Sequence, residues 1–219
     1  MGQSTKEQRD RDHEKGKEAE EKFIDYINQL GFMYKRANKY ENRYEGWDLK
    51  VTWTPEGYIY KDTLMDIKGV KCNPEEGTHN WLELITSETE DNQKIGWALT
   101  LRGKADFVSF DCYTDWVIVR KSDLKNLIYK LYPFFKKMEE KTMREREGKG
   151  DYDFWFLNNI KMYEFNEINT ISKREKTDYY EIYNRDGDLL LKIPEIDLRD
   201  MATDIWEQNE ILQYYDAKH

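Results

Sequence analysis

Two short runs of this chain carry residues that could do chemistry together: Gly46-Trp47-Asp48-Leu49-Lys50-Val51 and Leu64-Met65-Asp66-Ile67-Lys68-Gly69. Both read as strands. Residues two apart on a strand share a face, so Asp66 and Lys68 project together while Ile67 points the opposite way, into a core. A hairpin turning at Pro55-Glu56-Gly57 would set Asp48 beside them. Two carboxylates and an ammonium on one sheet surface suit a hard divalent cation and the activation of a water next to it. An Asp in the centre of an apolar strand pattern needs compensation for its lost hydration, and a cation provides it. The plainer alternatives are a surface Asp48 following a turn, and an exposed strand pair at Asp66 and Lys68.

The elements that must position these groups can be read from periodicity. Residues 1–14 are polar and charged and read as a flexible lead. A helix is expected from about Lys15, with Ala19, Phe23, Tyr26, Ile27 and Leu30 at helical spacing and Gly31 as its stop. Phe32-Met33-Tyr34 begins a strand, and the stretch to Glu45 is a polar connection. The hairpin strands are expected at about Trp47–Thr54 and Tyr58–Val70. Further strands are expected at Asn80–Ile85, Ala105–Phe110 and Asp115–Val119, with a polar loop over Glu88–Lys94. Ser122 can cap a helix with Leu124, Leu127, Ile128 and Leu131 on one face. The almost wholly charged stretch 136–151 reads as an exposed loop. Beyond it, in 152–219, Tyr179–Tyr183 and Leu189–Ile193 read as a hairpin across Asn184-Arg185-Asp186-Gly187, followed by a helix around Asp197–Trp206. The order of elements implies an α/β (α+β) fold with a mixed central sheet flanked by helices.

The upstream helix, Lys15-Gly16-Lys17-Glu18-Ala19-Glu20-Glu21-Lys22-Phe23, followed by a strand Asp and then by Asp66-Ile67-Lys68, resembles the PD-(D/E)xK nuclease superfamily. The likeness covers roughly Lys15 to Val119, within a core spanning 15–135. Its opening, Gly16-x-x-x-Glu20, is similar to that of Holliday-junction-resolvase-like members. The resemblance implies a restriction endonuclease-like fold and hydrolysis of DNA phosphodiester bonds with Mg²⁺ or Mn²⁺, in phage or bacterial recombination, repair or degradation of DNA. Carried onto this chain, it makes Glu20, Asp48, Asp66 and Lys68 catalytic, and makes Asp48, Asp66 and the backbone carbonyl of Ile67 metal ligands. Lys68 would orient the attacking water or offset phosphorane charge. The chain departs from the pattern in lacking a Pro before Asp48. Glu20 has its own plain alternative, a solvated helix face shared with Glu18 and Glu21 and paired with Lys17 or Lys22. A homodimer, one site for each DNA strand, is a further implication.

Composition bears on partners. The 219 residues carry a net charge of −9, with 36% charged and 15% aromatic side chains. The aromatics argue against general disorder. The acidity argues against binding nucleic acid by bulk electrostatics, so DNA contact must come from local groups, first among them Lys35, Arg36, Lys39 and Arg43. Lys71, Arg102 and Lys104 are others, and Tyr40, Tyr44, Trp81 and Trp97 could stack on bases. Glu83 alternates with Leu82 and Leu84 and reads as exposed; Gln93 and Lys94 read as a polar loop. His13, His79 and His219 are too scattered for a histidine site. Cys72 and Cys112 have no metal-ligand spacing and read as reduced thiols of a cytoplasmic protein. There is no signal peptide and no membrane-length apolar run. The competing functional class is a catalytically inactive nuclease-fold protein whose acidity serves a protein partner or mimics DNA. The intact Asp48, Asp66 and Lys68 set speaks against it.

Overall fold

The computed structural model describes residues 6–53, 60–69, 79–89, 92–99, 103–133, 135–137, 180–185 and 188–207. They divide into two compact units that interleave along the chain. One comprises residues 3–80, 103–121 and 195–219, the other chiefly 81–102 and 122–194. The fold is α+β, as the pattern of elements implies, with a mixed six-stranded sheet in the first unit.

In the first unit a long helix, α1 (Lys6–Gln29), leads into β1 (Met33–Arg36). The helix starts well before Lys15, within the stretch read as a lead, because Lys, Glu, Gln and Arg make up most of residues 6–14 and extend a helix already nucleated by the packed turns that follow. Its end is where the sequence places it. Gly31 adopts φ 76°, the Phe32 N–H donates to the Ile27 carbonyl at 2.9 Å and the Gly31 N–H to the Asn28 carbonyl at 3.0 Å. This left-handed cap satisfies the last carbonyls and turns Phe32 back toward the core.

The sheet then grows by β2 (Leu49–Trp53), β3 (Tyr60–Lys68), β6 (Phe107–Asp111), β7 (Asp115–Arg120) and β10 (Asp204–Glu207), in the order β1-β2-β3-β6-β7-β10. All neighbours are antiparallel except β3 and β6, which run parallel with Asp66 opposite Val108 and Lys68 opposite Phe110. The turn expected at Pro55-Glu56-Gly57 lies outside the described residues.

Burial of α1 on this sheet rests on aromatic packing. Phe23 is fully buried, edge-on to Trp116 at 4.9 Å between ring centroids and stacked on Trp206 at 5.9 Å. Tyr26 and Phe32 also meet Trp206, and Ala19, Ile24, Ile27, Leu49, Val51, Met65, Ile67 and Ile118 complete the buried cluster. Trp206 itself corrects a sequence expectation. The expected helix over Asp197–Trp206 is a short helix, α3 (Glu195–Asp200), followed by β10. The strand wins because β7 offers an open edge, on which Trp206 pairs with Trp116 and covers Phe23.

The second unit has a four-stranded sheet ordered β5-β4-β9-β8, from β4 (His79–Thr89), β5 (Asn92–Ile95), β8 (Glu181–Arg185) and β9 (Asp188–Pro194). Residues expected as a polar loop around Gln93 and Lys94 form β5, paired antiparallel with β4. Their polar side chains hid a strand whose pairing comes from the backbone. The hairpin expected after Tyr179 is present, with Ile182 facing Leu191 in register. Helix α2 (Lys121–Leu131) starts directly from β7 rather than at a Ser122 cap, and buries Leu124 and Ile128. The charged stretch expected over 136–151 falls largely outside the described residues.

Because Phe23 joins α1 to β7 and β10 at once, Phe23→Ala is expected to cost about 3–5 kcal/mol in denaturant unfolding. Ile196→Ala, at a position 62% exposed, is expected to change stability by less than about 0.5 kcal/mol. A Phe23→Ala cost below about 1 kcal/mol would show that the helix is held by something other than this cluster.

Candidate metal centre

Asp48 stands at the mouth of β2, where two backbone hydrogen bonds hold it. Its N–H donates to the Met65 carbonyl and its carbonyl accepts from the Ala37 N–H, each at 2.8 Å. Its carboxylate is held at both oxygens. Oδ2 accepts the Ile67 N–H at 2.7 Å, and Oδ1 accepts from Asn42 Nδ2 at 2.5 Å. The hairpin thus brings Asp48 against the Asp66-Ile67-Lys68 triplet. Alternation along β3 does the rest: Ile67 is in the core cluster, while Asp66 and Lys68 share the other face with Lys68 Nζ 2.6 Å from Asp66 Oδ1. Asp66 is 5% exposed.

Helix α1 supplies the third carboxylate. Gly69, directly after Lys68, lets the helix come close: a Cβ there would lie 3.0 Å from Ala19 Cβ. Glu20 follows Ala19 and is half-buried, near enough to Asp66 and Asp48 to feel their charge. Its neighbours differ. Glu18 and Glu21 are exposed, and Glu21 is bonded to Arg36 at 2.5 Å. Of the three glutamates, Glu20 is therefore the one the fold turns toward the triplet.

The electrostatics are those of a site short of positive charge. Burial, and then the neighbouring Asp66, push the Asp48 carboxyl up to about 8, against the opposing pull of Lys68 and the Ile67 N–H. Burial also raises Glu20, partly offset by Arg36. Among the described residues the ammonium bonded directly to this group is that of Lys68. A divalent cation fits such a donor set. Among the described residues no three His, Cys, Asp or Glu side chains gather closely enough to hold an ion as a set. Two carboxylates with water and substrate oxygens nevertheless match how Mg²⁺ is commonly bound, since it gives up its hydration reluctantly.

The other residues singled out from the sequence divide clearly. Lys35 and Arg36 lie on β1, paired with Glu41 at 3.2 Å and with Glu21. Lys39 is exposed, and the Arg43 guanidinium lies 5.5 Å from the centroid of the Tyr44 ring. Lys104 pairs with Glu45 at 2.6 Å. Glu83, Gln93, Lys94, Trp81 and Trp97 belong to the second unit. Lys71, Arg102, Cys72 and His219 lie outside the described residues. His13 is exposed on α1, and the buried Cys112 thiol is pushed up to about 12, chiefly by burial, so it stays protonated and unreactive.

Asn42 is the residue that sequence reasoning missed. It lies on a π-helical turn, Glu41–Glu45, in what reads as a featureless polar connection, and no spacing links it to Asp48. The clamp becomes visible only once the turn is wound.

A raised carboxyl has a signed consequence for stability. Between the unfolded value near 4 and the folded value near 8, the folded protein keeps a proton on Asp48 that the unfolded chain releases, so stability falls as pH rises through that window. In EDTA the melting temperature is expected to drop between about pH 5 and pH 8. Asp48→Asn, whose amide can still accept from Ile67, should flatten the drop and melt roughly 3 °C or more above the wild type at the upper end. A melting temperature that climbs across this window in the wild type would contradict the crowding of these carboxylates.

No family model matches the chain, and no curated protein and no solved structure matches it either.

Proposed function

We propose that this chain is a metal-dependent nuclease of the PD-(D/E)xK type that hydrolyses DNA phosphodiester bonds. The observation that carries the reading is the closeness of two carboxylates, Asp48 just before β2 and Asp66 on the adjacent β3, with the Lys68 ammonium 2.6 Å from Asp66. A protein gains no stability from such an arrangement; a cation and a phosphodiester give it a purpose.

In this reading Asp48 and Asp66, with the Ile67 carbonyl, would hold Mg²⁺ or Mn²⁺, and Glu20 would support the shell from α1. An ion held there would supply positive charge for the scissile phosphate and lower the pKa of a bound water. The chain's own groups set the geometry. Asn42 and the Ile67 N–H fix the plane of the Asp48 carboxylate, and the sheet fixes Asp66. Lys68 steers the attacking water or meets the charge that develops on the phosphorane oxygens. As the water oxygen gives up a proton to solvent and bonds to phosphorus, the bond to the leaving oxygen breaks and that oxygen takes up a proton from solvent. Pairing two copies would present one site to each DNA strand. Among the described residues no helix is long and apolar enough to cross a membrane, and the cytoplasm, where free thiols persist, suits the chain.

The net charge of −9 favours a second reading, a non-catalytic protein that binds a protein partner or mimics DNA. One experiment separates the two. Labelled linear duplex, single-stranded, flap and four-way-junction DNAs are incubated with the protein in Mg²⁺, Mn²⁺ or EDTA, beside Asp66→Ala and Lys68→Ala proteins shown by circular dichroism to be folded. The nuclease reading expects metal-dependent cutting reduced about 100-fold or more in both variants. It also expects Mg²⁺ to raise the melting temperature of the wild type but not of Asp66→Ala. No cutting of any substrate by wild-type protein, together with no metal-induced stabilisation, would leave the binder as the better account.

A further inference from the structure

The π-helical turn Glu41–Glu45 and Tyr40, which precedes it, carry an aromatic pair that neither the core nor the carboxylate pair uses. Tyr40 and Tyr44 lie four residues apart with ring centroids 5.0 Å from one another, and they are 64% and 47% exposed. Leaving that much aromatic surface in water forgoes the gain from burying it. The Arg43 guanidinium adds a flat cation beside Tyr44.

The charge around these rings is locally positive in an acidic chain. Each acid of the turn already has a cation, Glu41 with Lys35 and Glu45 with Lys104. Among the described residues Lys39 and Arg43 form no ion pair, which leaves two positive charges flanking the rings. The turn is also tied to the carboxylate pair, because Asn42, between the two tyrosines, grips Asp48 Oδ1. Gly46, at φ 62° and ψ 49°, ends the turn two residues before Asp48. π-Helical turns are rare, and where they occur they are frequently at functional sites.

We infer that Tyr40, Arg43 and Tyr44 form a stacking platform for unpaired nucleobases, so that the substrate class of the neighbouring site is nucleic acid with single-stranded character. This inference rests on the nuclease reading of Asp48 and Asp66. Exposed aromatic rings accept any base on its π-face, while Lys39 and Arg43 meet the phosphates of the same strand. Bases inside a duplex are already stacked on their neighbours and have no face to offer. The platform is joined to Asp48 through Asn42, which lies between the two tyrosines in sequence.

The test is fluorescence anisotropy with the full chain in EDTA, where binding is read without cleavage. The probes are a labelled single strand, an abasic strand of equal length and charge, and a blunt duplex. Wild-type protein is expected to prefer the base-bearing strand over both others by about tenfold or more. The Tyr40→Ala/Tyr44→Ala double variant should lose the preference over the abasic strand, and Tyr40→Phe/Tyr44→Phe should keep it. Arg43→Ala should weaken all three and flatten their salt dependence. Both tyrosines are exposed, so melting temperatures should stay near the wild-type value. Equal affinity of the wild type for base-bearing and abasic strands, an unaltered preference in the alanine variant, or no binding of any probe would overturn the platform. The two readings fail separately. Metal-dependent cutting with no preference for bases removes the platform and leaves the nuclease. Tyrosine-dependent binding of unpaired bases without cutting by the wild type keeps the platform and removes the nuclease.

Discussion

Asp48 and Asp66 repel each other, and the fold gives them no way to separate. Asp48 is held through its backbone to Met65 and Ala37 and through its side chain to Ile67 and Asn42. Asp66 is fixed by the central position of β3, with β2 on one side and β6 on the other. Hydrogen bonds of the sheet and the packing of the core outweigh the repulsion, and burial, with the neighbouring Asp66 adding to it, holds the Asp48 carboxyl raised. Charge crowding of this kind is a frequent mark of functional sites, because a group that wants a cation or a proton is a group ready to bind one.

The rest of the first unit serves that placement. Phe23, between Trp116 and Trp206, presses α1 onto the sheet, and Gly69 removes the side chain that would hold it off. Only at that distance does a glutamate on the helix share the field of a carboxylate on β3. The aromatic core and the polar site are two faces of one requirement, with Ile67 packed inward and its two sequence neighbours facing the other way.

The turn that carries Asn42 gives the site a second role for an otherwise irregular segment. Its wide winding directs Asn42 at Asp48 while leaving Tyr40 and Tyr44 in water, and its acids are neutralised by Lys35 and Lys104. An acidic chain can in this way present a small basic, aromatic surface without changing its overall charge.

Several features were legible in the sequence because they depend on local periodicity. Strand alternation puts Asp66 and Lys68 on one face and Ile67 on the other; the 3.6-residue repeat through Ala19, Phe23 and Ile27 marks the buried stripe of α1, and Gly31 marks its end. The parallel joining of β3 to β6, the strand at Trp206, the strand at Gln93 and Lys94, and the clamp from Asn42 were not legible. Each depends on a partner distant in sequence or on a turn whose winding no side-chain pattern encodes. By itself the sequence determined which residues could share a face, since that follows from backbone geometry within a few residues. The tertiary structure alone decided which faces meet, how closely Glu20 and Asp48 approach Asp66 and how strongly Asp48 is desolvated, since those follow from packing between elements that the chain brings together only when it folds.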